Sequence, residues 1–361
     1  MKVAIIHDWI VNYGGAEKVL LEIHKIFPEA PIYTLVYNKK RMGKYFKGID
    51  IRTSLVQKLP FGISKYRYYL PLMPMAFEQF DLSEYDLIIS TSSCCAKGVN
   101  VNANSTHICY CHTPMRYAWD MYNKYNTGNI LKKFIIAKQI SKLRIWDCVS
   151  SNRVDYFIAN SEYVKKRIEK HYRREARVIN PPIDEMYYKK SKKTGENGYY
   201  LAVSRMVKYK KMDLIVEAFN ELNLPLIVVG DGPERNKVKR IAKKNIEFKE
   251  EISQKQLKEL YDNCKAFVFM AEEDFGMVMA EAEACGKPVI AYYKGGASEI
   301  VENEKSGLFV EKQTKESLIE KVNLMEKIYK KFDEDEIREY AKKFNVNNFR
   351  EQIKNAIDEW K

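Results

Sequence analysis

Short apolar runs alternate with longer amphipathic segments along the whole chain of 361 residues. Val3–His7 has the pattern of a buried strand, and after the loop Asp8–Gly15 the segment Ala16–Phe27 carries apolar residues at helical spacing. Strands that alternate with helices in this way predict a parallel sheet with helices on both faces. Further strand-type runs in the first half are Ile32–Val36, Leu87–Ser90, His107–Cys111 and Phe157–Asn160.

Two prolines interrupt this alternation near the middle of the chain. Pro181 and Pro182 are followed by a polar, lysine-rich run, which predicts a linker over residues 181–193. The alternation then resumes, with strand-type runs at Tyr199–Ser204, Leu226–Val229, Ile246–Phe248, Ala266–Phe269 and Val289–Ala291. We therefore expect an α/β chain with one Rossmann-like domain over residues 1–180, a second over 194–344, and a C-terminal helix over 345–361.

The two predicted domains differ in charge. The formal net charge is +13, and residues 1–190 hold 30 Lys and Arg against 17 Asp and Glu, so the whole excess lies in the first half. Such an excess fits an anionic partner, which could be nucleic acid, a phosphorylated ligand or an acidic membrane surface, or it serves solvation alone. Seven cysteines without paired CxxC units favour reduced thiols in a cytosol. No run approaches the ~20 apolar residues that a membrane span needs.

An acidic segment of the second half is the strongest local candidate for a binding site. Glu273 and Glu281 are eight residues apart, the first in a loop and the second within a predicted helix. The amides of Phe275, Gly276 and Met277 would stand unpaired at the start of that helix, where they could bind hydroxyl or phosphate oxygens. The alternative is an acidic first turn that only complements the helix dipole.

This acidic segment and five others resemble different elements of one protein family. The segment from Glu273 to Ala282 resembles the E-x7-E element of retaining glycosyltransferases of family 4, which have the two-domain GT-B architecture. Other elements of that family resemble Ser204–Asp213, Val229–Glu234 and the glycine loop Gly14–Glu17. Two segments of the first half are similar to the branch that contains O-antigen mannosyltransferases, namely Tyr68–Pro74 and Cys109–Asp120.

The resemblance implies a fold and a set of roles. The fold would be GT-B, with two doubly wound domains facing a cleft and the C-terminal helix crossing back to the first domain. Arg205 and Lys210 would hold the diphosphate of the donor, a task that suits fixed cations at a strand end. Glu273 would bond the transferred sugar, Glu281 the ribose, and His112 would lie near the anomeric carbon.

Further donor-binding positions follow from the same resemblance. They are Gly14, Gly15, Gly230, Glu251, Phe275, Gly276 and Met277, in addition to Glu281. No metal and no cofactor are expected, since GT-B enzymes do not need a metal-binding DxD motif. Two positions depart from the family pattern, because Asp274 and Glu250 stand where glycine is usual. These departures leave guanine and uracil both open as the base.

The implied activity is transfer of a hexose, with mannose from GDP-mannose favoured and a UDP-sugar as the alternative. The acceptor would be a lipid-linked glycan of O-antigen, capsule or exopolysaccharide synthesis. Two basic stretches with interspersed apolar residues, Lys39–Arg67 and Met121–Trp146, would touch an anionic membrane face from the cytoplasm. The alternative for these stretches is ordinary packing on the core.

Two other functions stay open on the sequence alone. A sugar-nucleotide epimerase or phosphorylase could share the same architecture. A nucleic-acid-binding protein would account for the basic first half, although the chain has no helix-turn-helix, zinc or RNP pattern. The oligomeric state is not indicated by any pattern.

Overall fold

The computed structural model describes residues 1–125, 128–190, 198–250 and 252–360. The chain divides into two compact units, which are Met1–Pro181 with Phe349–Lys361 and, between them, Pro182–Asn348. The first unit therefore contains both ends of the chain, and the second unit is one continuous segment.

A parallel sheet of seven strands forms the centre of the first unit, in the order β3-β2-β1-β4-β5-β6-β7. The strands are β1 (Val3–His7), β2 (Ile32–Thr34), β3 (Ile51–Thr53), β4 (Leu87–Ser92), β5 (Thr106–Cys111), β6 (Tyr156–Ala159) and β7 (Ala176–Val178). The helices of residues 1–181 are α1 (Gly15–Ile26), α2 (Lys39–Met42), α3 (Met73–Glu78), α4 (Tyr122–Tyr125), α5 (Ile130–Ser151) and α6 (Glu162–Tyr172).

A second parallel sheet, of six strands, forms the centre of the second unit in the order β10-β9-β8-β11-β12-β13. The strands are β8 (Tyr199–Val203), β9 (Leu226–Val229), β10 (Ile246–Lys249), β11 (Cys264–Phe269), β12 (Val289–Tyr292) and β13 (Gly307–Val310). The helices are α7 (Glu185–Tyr188), α8 (Met212–Leu222), α9 (Arg235–Ile241), α10 (Gln254–Asn263), α11 (Met277–Ala284), α12 (Ala297–Ile300), α13 (Lys315–Ile328) and α14 (Glu334–Ala341). The last helix, α15 (Val346–Glu359), enters the first unit.

Both sheets are covered on both faces, as successive strand residues show. In β1, Ile5 packs in one apolar cluster with Leu20 of α1 and Ile353 of α15. Its neighbour Ile6 points to the other face and packs in a cluster with Leu143 of α5. The prediction of two doubly wound α/β sheets is confirmed, and the predicted return of the C-terminal helix to the first unit is confirmed as well.

The segment after the two prolines differs from the expected linker. Pro182 already belongs to the second unit, and α7 follows it within residues 181–193. Ile183 donates its amide hydrogen to the carbonyl oxygen of Phe344 at 2.8 Å, and the side chain of Tyr187 is buried. The apolar residues of this short segment therefore hold it on the second unit as far as residue 190, beyond which the expected linker lies outside the described residues.

Candidate functional site

Two loops at the carboxyl ends of β8 and β9 are locked together by their backbones. Met206 donates its amide hydrogen to the carbonyl oxygen of Asp231 at 2.8 Å. Gly230 has a φ of +139°, and a Cβ atom at this position would come within 2.0 Å of the carbonyl oxygen of Ser204. Glycine is therefore required by both the conformation and the space. The contact fixes the backbone on both sides of Arg205.

Arg205 lies exposed at the end of β8. Among the residues that the structure describes, none forms an ion pair or a hydrogen bond with its guanidinium group. A planar cation of this kind, which no carboxylate neutralises, is well suited to bind a phosphate group through two hydrogen bonds.

Lys210 and Glu273 form an ion pair, with 2.7 Å between Nζ and Oε1. Their side chains are only 12% and 15% exposed, so water screens the pair less than it would at an open surface. The Nζ atom of Lys210 also lies 5.3 Å from the ring centroid of Phe269, the last residue of β11. The structure thus brings together two of the predicted site residues that are far apart in the sequence.

The loop that carries Glu273 is supported by the glycine pair 295–296. Gly296 donates its amide hydrogen to the carbonyl oxygen of Glu273 at 2.9 Å. Gly295 has a φ of +70°, and an added Cβ atom would lie 2.1 Å from that same carbonyl oxygen. This close contact between the two backbones fixes the backbone of Glu273, and with it the origin of the Glu273 side chain.

The start of α11 presents unpaired backbone donors. Gly276 precedes the helix with a φ of +98°. In the described part of the chain, no backbone acceptor is found for the amides of Phe275, Gly276 and Met277. These three predicted site residues therefore provide N–H groups at the positive end of a helix, where an oxyanion or a hydroxyl oxygen is bound favourably.

Glu281 lies one turn further along α11 and is buried. The hydroxyl group of Tyr261, on α10, donates to the carbonyl oxygen of Val278 at 3.1 Å and lies 3.3 Å from Oε2 of Glu281. Burial first, and then the Glu281 carboxylate, hold the pKa of Tyr261 well above its usual value, so this tyrosine stays a hydrogen-bond donor. Tyr261 is not part of any predicted site, because an isolated tyrosine has no distinctive pattern in the sequence.

The residues at the end of β10 are only partly described. Glu251, a predicted donor-binding residue, lies outside the described residues. Its neighbour Glu250 forms an ion pair with Arg235 at the start of α9. The other departure from the family pattern, Asp274, is buried beside Glu273.

The first unit has its own predicted residues at the carboxyl ends of its strands. Gly14 precedes α1 in an extended conformation, and Gly15 is the first residue of that helix. No backbone acceptor is found for the amides of Gly14 and Gly15 among the described residues. Gly14 and Gly15 therefore stay predicted anion-binding positions at the start of α1.

His112 follows β5 directly, and its amide donates to the carbonyl oxygen of Ser92 at 2.8 Å. Its Nε2 atom is buried and has no hydrogen-bond partner within the described residues. Burial and, to a smaller extent, the nearby His7 lower the pKa of His112 to about 3. The ring is therefore neutral near pH 7, and a buried nitrogen without a partner is costly unless a ligand completes it.

Polar residues around the ends of β1 and β4 form contacts that were not predicted, and His7 among them is near enough to His112 to affect its pKa. The Nδ1 atom of His7 lies 2.6 Å from the hydroxyl oxygen of Thr91, and its Nε2 atom lies 3.8 Å from the carboxylate of Glu17. Asp8 accepts hydrogen bonds from the backbone amides of residues 93, 95 and 96. The contacts of His7 with Thr91 and of Asp8 with residues 93, 95 and 96 join β1 to the end of β4 across more than eighty residues of sequence, so no local pattern could reveal them.

A buried ion pair holds α5 to the sheet of the first unit. Lys97, which follows β4, lies 2.8 Å from a carboxylate oxygen of Asp147 in α5. Asp147 also accepts hydrogen bonds from Trp119 and from Tyr172. Burial alone would lower the pKa of Lys97, but the Asp147 carboxylate outweighs it and the pKa is raised. This network connects α5 to the segment that follows His112.

Two kinds of feature, a cluster of metal ligands and a membrane-spanning helix, are not found in the described ranges. These ranges contain no group of three or more His, Cys, Asp or Glu side chains that could hold a metal ion. They also contain no helix that is both long and apolar enough to cross a membrane.

Two parallel α/β sheets of this construction are the architecture of the GT-B glycosyltransferases, and the chain has that fold. Two family models then identify the family. The model described as Glycosyltransferase Family 4 matches residues 13–186, and the model described as Glycosyl transferases group 1 matches residues 184–344. Together they span nearly the whole chain, which therefore belongs to family 4 of the glycosyltransferases.

Known relatives agree with this assignment. An uncharacterised glycosyltransferase of Methanocaldococcus jannaschii is 29% identical over 221 residues, which are 58% of this chain and 61% of that protein. The O-antigen chain mannosyltransferase C of Escherichia coli is 23% identical over 221 residues, 56% of this chain and 58% of that one. The matches thus span about 60% of the length of these relatives. The structure of Anabaena HepE with UDP-glucose shares the fold, with a TM-score of 0.72 at 19% identity over 99% of this chain and all of that one.

Proposed function

We propose that the protein transfers a hexose from a nucleotide sugar, with retention of the anomeric configuration, to a lipid-linked glycan. The observation that carries this proposal is the Lys210–Glu273 ion pair beside the unpaired amides of Phe275, Gly276 and Met277. Cationic and N–H groups suit the diphosphate of such a donor, and a carboxylate suits the hydroxyl groups of its sugar.

The chemistry asks the protein mainly to position groups and to stabilise charge. The bond between the anomeric carbon and the phosphate oxygen breaks, and its electron pair stays on that oxygen. The acceptor hydroxyl oxygen bonds to the anomeric carbon on the same face, and its proton passes to the departing phosphate. Arg205 and Lys210 stabilise the negative charge that grows on the phosphate, while Glu273 accepts hydrogen bonds from the sugar.

The neutral His112 and the loop at Gly14 have complementary roles in this scheme. Because the pKa of His112 is lowered to about 3, its ring bonds a sugar hydroxyl without adding charge near the reacting carbon. The amides of Gly14 and Gly15 would bind a phosphate oxygen of the donor. No metal is part of the mechanism, since Arg205 and Lys210 provide the positive charge.

GDP-mannose is the favoured donor, and the E. coli relative that is named a mannosyltransferase supports it. The HepE structure with UDP-glucose supports a UDP-sugar as the alternative. A thermal-shift panel of GDP, UDP and their mannose, glucose, galactose and N-acetylglucosamine conjugates would separate the two. A ligand at 100 times its dissociation constant should stabilise the protein by about 2.7 kcal/mol.

The proposed acceptor is a lipid-linked glycan of O-antigen, capsule or exopolysaccharide synthesis, met at the cytoplasmic face of an anionic membrane. The excess positive charge of residues 1–190 supports it, and so does the O-antigen relative. The decisive experiment incubates the preferred donor with lipid-linked acceptors and reads the new anomeric configuration by proton NMR. An inverted product would refute retention, and an isomerised or phosphorolysed donor would replace the proposal by an epimerase or a phosphorylase.

A further inference from the structure

The first six residues of α5 project from the first unit without packing on it. Ile130, Leu131, Phe134 and Ile135 are 89%, 68%, 66% and 53% exposed. Leu131, Phe134 and Ile135 have the spacing of one helix face, so the three side chains form a continuous apolar strip. We refer to residues 130–135 as the exposed turns. Burying an apolar strip of this size against another surface is favourable, and a folded chain rarely leaves one uncovered without a partner.

The other end of the same helix is firmly fixed. Ile140 and Leu143 are buried in the apolar cluster under the sheet, and Asp147 pairs with the buried Lys97 at 2.8 Å. Trp146 donates its ring N–H to the carboxylate of Glu78 at 2.8 Å. The exposed turns are therefore the free end of a well-anchored helix, and their exposure does not come from poor packing of the helix as a whole.

The charges around the exposed turns have one sign. Four lysines, Lys132, Lys133, Lys138 and Lys142, are exposed, and the segment from 130 to 146 contains no acidic residue. None of these lysines has an ion-pair partner within the described ranges. Long lysine side chains can keep their charge at the level of lipid phosphates while neighbouring apolar residues enter the acyl region.

We propose that the exposed turns of α5 are the element that docks the protein on an anionic lipid bilayer. Leu131, Phe134 and Ile135 insert below the headgroups, and the surrounding lysines bind the lipid phosphates. The proposal deepens the proposed function, on which it rests for the lipid-linked acceptor. A second copy of the chain fits this surface less well, because a symmetric contact through α5 would bring the same lysines together without an acid to pair them.

The docked helix is joined to the candidate site of the first unit. Arg144 of α5 donates to the carbonyl oxygen of Ala118, and Trp119 donates to Asp147. Both Ala118 and Trp119 lie in the segment that follows His112. With a rise of 1.5 Å per residue, Phe134 lies about 15 Å along the helix from Arg144. A bilayer bound at Phe134 would thus lie about 15 Å, measured along α5, from the contact of Arg144 with Ala118.

The second basic stretch is a weaker candidate for the same role. Within Lys39–Arg67, the aromatic and aliphatic residues Phe46, Val56 and Tyr66 are buried in the core. Leu55, Phe61 and, just beyond, Tyr68 remain exposed. These three residues provide a matched control, because they lie in the same unit and have a similar apolar size.

The test is sedimentation of the full chain with vesicles, without any donor. Vesicles of phosphatidylcholine mixed with phosphatidylglycerol should bind the protein, and those of phosphatidylcholine alone should bind it much less. The triple variant Leu131→Ser, Phe134→Ser, Ile135→Ser should lower the partition constant by about tenfold or more, because three apolar side chains no longer enter the bilayer. The control variant Leu55→Ser, Phe61→Ser, Tyr68→Ser should stay within about twofold of the wild type.

A separate variant tests the contribution of the lysines to vesicle binding. Replacing Lys132, Lys133 and Lys138 by Gln should remove most of the preference for anionic vesicles. Equal binding of the wild type and the Leu131/Phe134/Ile135 variant would overturn the proposal, as would an equal loss in the control variant. A dimer that becomes monomeric in the triple variant, without binding of the wild type to vesicles, would also overturn it and would assign the strip to self-association.

Folding and the proposed function are checked separately. The thermal shift of each variant with the preferred nucleotide sugar shows that its second unit is intact, and far-ultraviolet circular dichroism shows that helix content is kept. Vesicle binding requires no turnover, so a protein that docks but transfers no sugar would contradict the proposed function only. A protein that transfers sugar in solution but does not dock would contradict this inference only.

Discussion

The predicted site residues at the carboxyl ends of the two sheets differ in charge. In the second unit, Arg205, Lys210 and Glu273 place full charges at the strand ends. In the first unit, the corresponding predicted groups are the neutral His112 and the amides of Gly14 and Gly15. Yet the excess of positive charge lies in the first half of the chain. The net charge of a unit therefore does not indicate where the charged residues of the predicted site lie.

The charges of the first unit have other tasks. Lys97 is buried with Asp147 and holds α5 to the sheet, while Lys132 and Lys138 are exposed on the outside of α5. We therefore propose that the charges of the first unit serve folding and surface contact, and that those at the strand ends of the second serve ligand binding. Each of the following predictions tests one part of this division.

The largest expected effect is on the stability of the first unit. Lys97→Met leaves the buried Asp147 carboxylate without its cation, which should lower the free energy of unfolding by about 3–5 kcal/mol. Chemical denaturation measures the change. Lys138→Met, which removes an exposed lysine of α5, should change the stability by less than about 0.5 kcal/mol. Equal effects of the two variants would refute the structural role of Lys97.

The next effect concerns catalysis by the second unit. Lys210→Gln removes a charge that is worth most in the transition state, so kcat should fall by about 10²–10³-fold. Glu273→Gln keeps the size of the side chain and should cause a loss of the same order. Lys208→Gln, an exposed neighbour in the same loop, should leave kcat unchanged. A steady-state assay with the preferred donor decides between these outcomes.

Both kinetic variants should lose less stability than Lys97→Met. The side chains of Lys210 and Glu273 are 12% and 15% exposed, whereas those of Lys97 and Asp147 are 1% and 0% exposed, so a group left unpaired at the Lys210–Glu273 site keeps some contact with water. A large loss of stability together with the loss of kcat would mean that the pair supports the fold, and the contrast with Lys97 would then disappear.

A smaller effect should appear in the pH dependence of stability. The pKa of His112 is about 3 in the folded protein, whereas an unfolded histidine titrates near 6.5. The unfolded chain therefore takes up a proton that the folded chain does not, and stability falls as the pH decreases below 6.5. Between pH 6.5 and 5.5, wild type should lose about 1 kcal/mol more than His112→Gln. The difference between their denaturation midpoints measures it, and equal losses would contradict a neutral His112.

The smallest effect is expected from metal removal. In the proposed mechanism, Arg205 and Lys210 provide the positive charge that the departing diphosphate needs. Dialysis against EDTA should therefore leave kcat unchanged, and added Mg²⁺ should not raise it. An activity that returns only with the metal would show that the cationic side chains of the second unit are insufficient.

The sequence pattern predicted most of the central strands, because their apolar runs are buried on both sides. It missed β3 and β7, which are three-residue edge strands with an arginine at their centre, Arg52 and Arg177. It also missed β13, another edge strand, which begins with Gly307. Short strands that lack a continuous apolar run do not differ locally from loops.

The candidate site was predictable where its residues are close in sequence. The segment from Glu273 to Glu281 was a candidate from its spacing and from its resemblance to the family 4 element, whereas the pairing of Lys210 with Glu273 depends on the return of the chain from β8 to β11. The contact of His7 with Thr91 depends in the same way on the pairing of β1 with β4. For Met121–Trp146, the sequence left open whether the segment packs on the core or is exposed. In α5, the first turns are exposed, whereas Ile140 and Leu143 further along the helix are buried.

The order of synthesis has a consequence for the first unit, because Pro182–Asn348 interrupts it. Residues 1–181 leave the ribosome before α15 exists, since chains are made from the N-terminus. Until then, the sheet lacks Phe349, Ile353 and Ile357, which cover one of its faces. The second unit, in contrast, is complete before the last residues are added. The half of the protein that is synthesised first is therefore the half that finishes folding last.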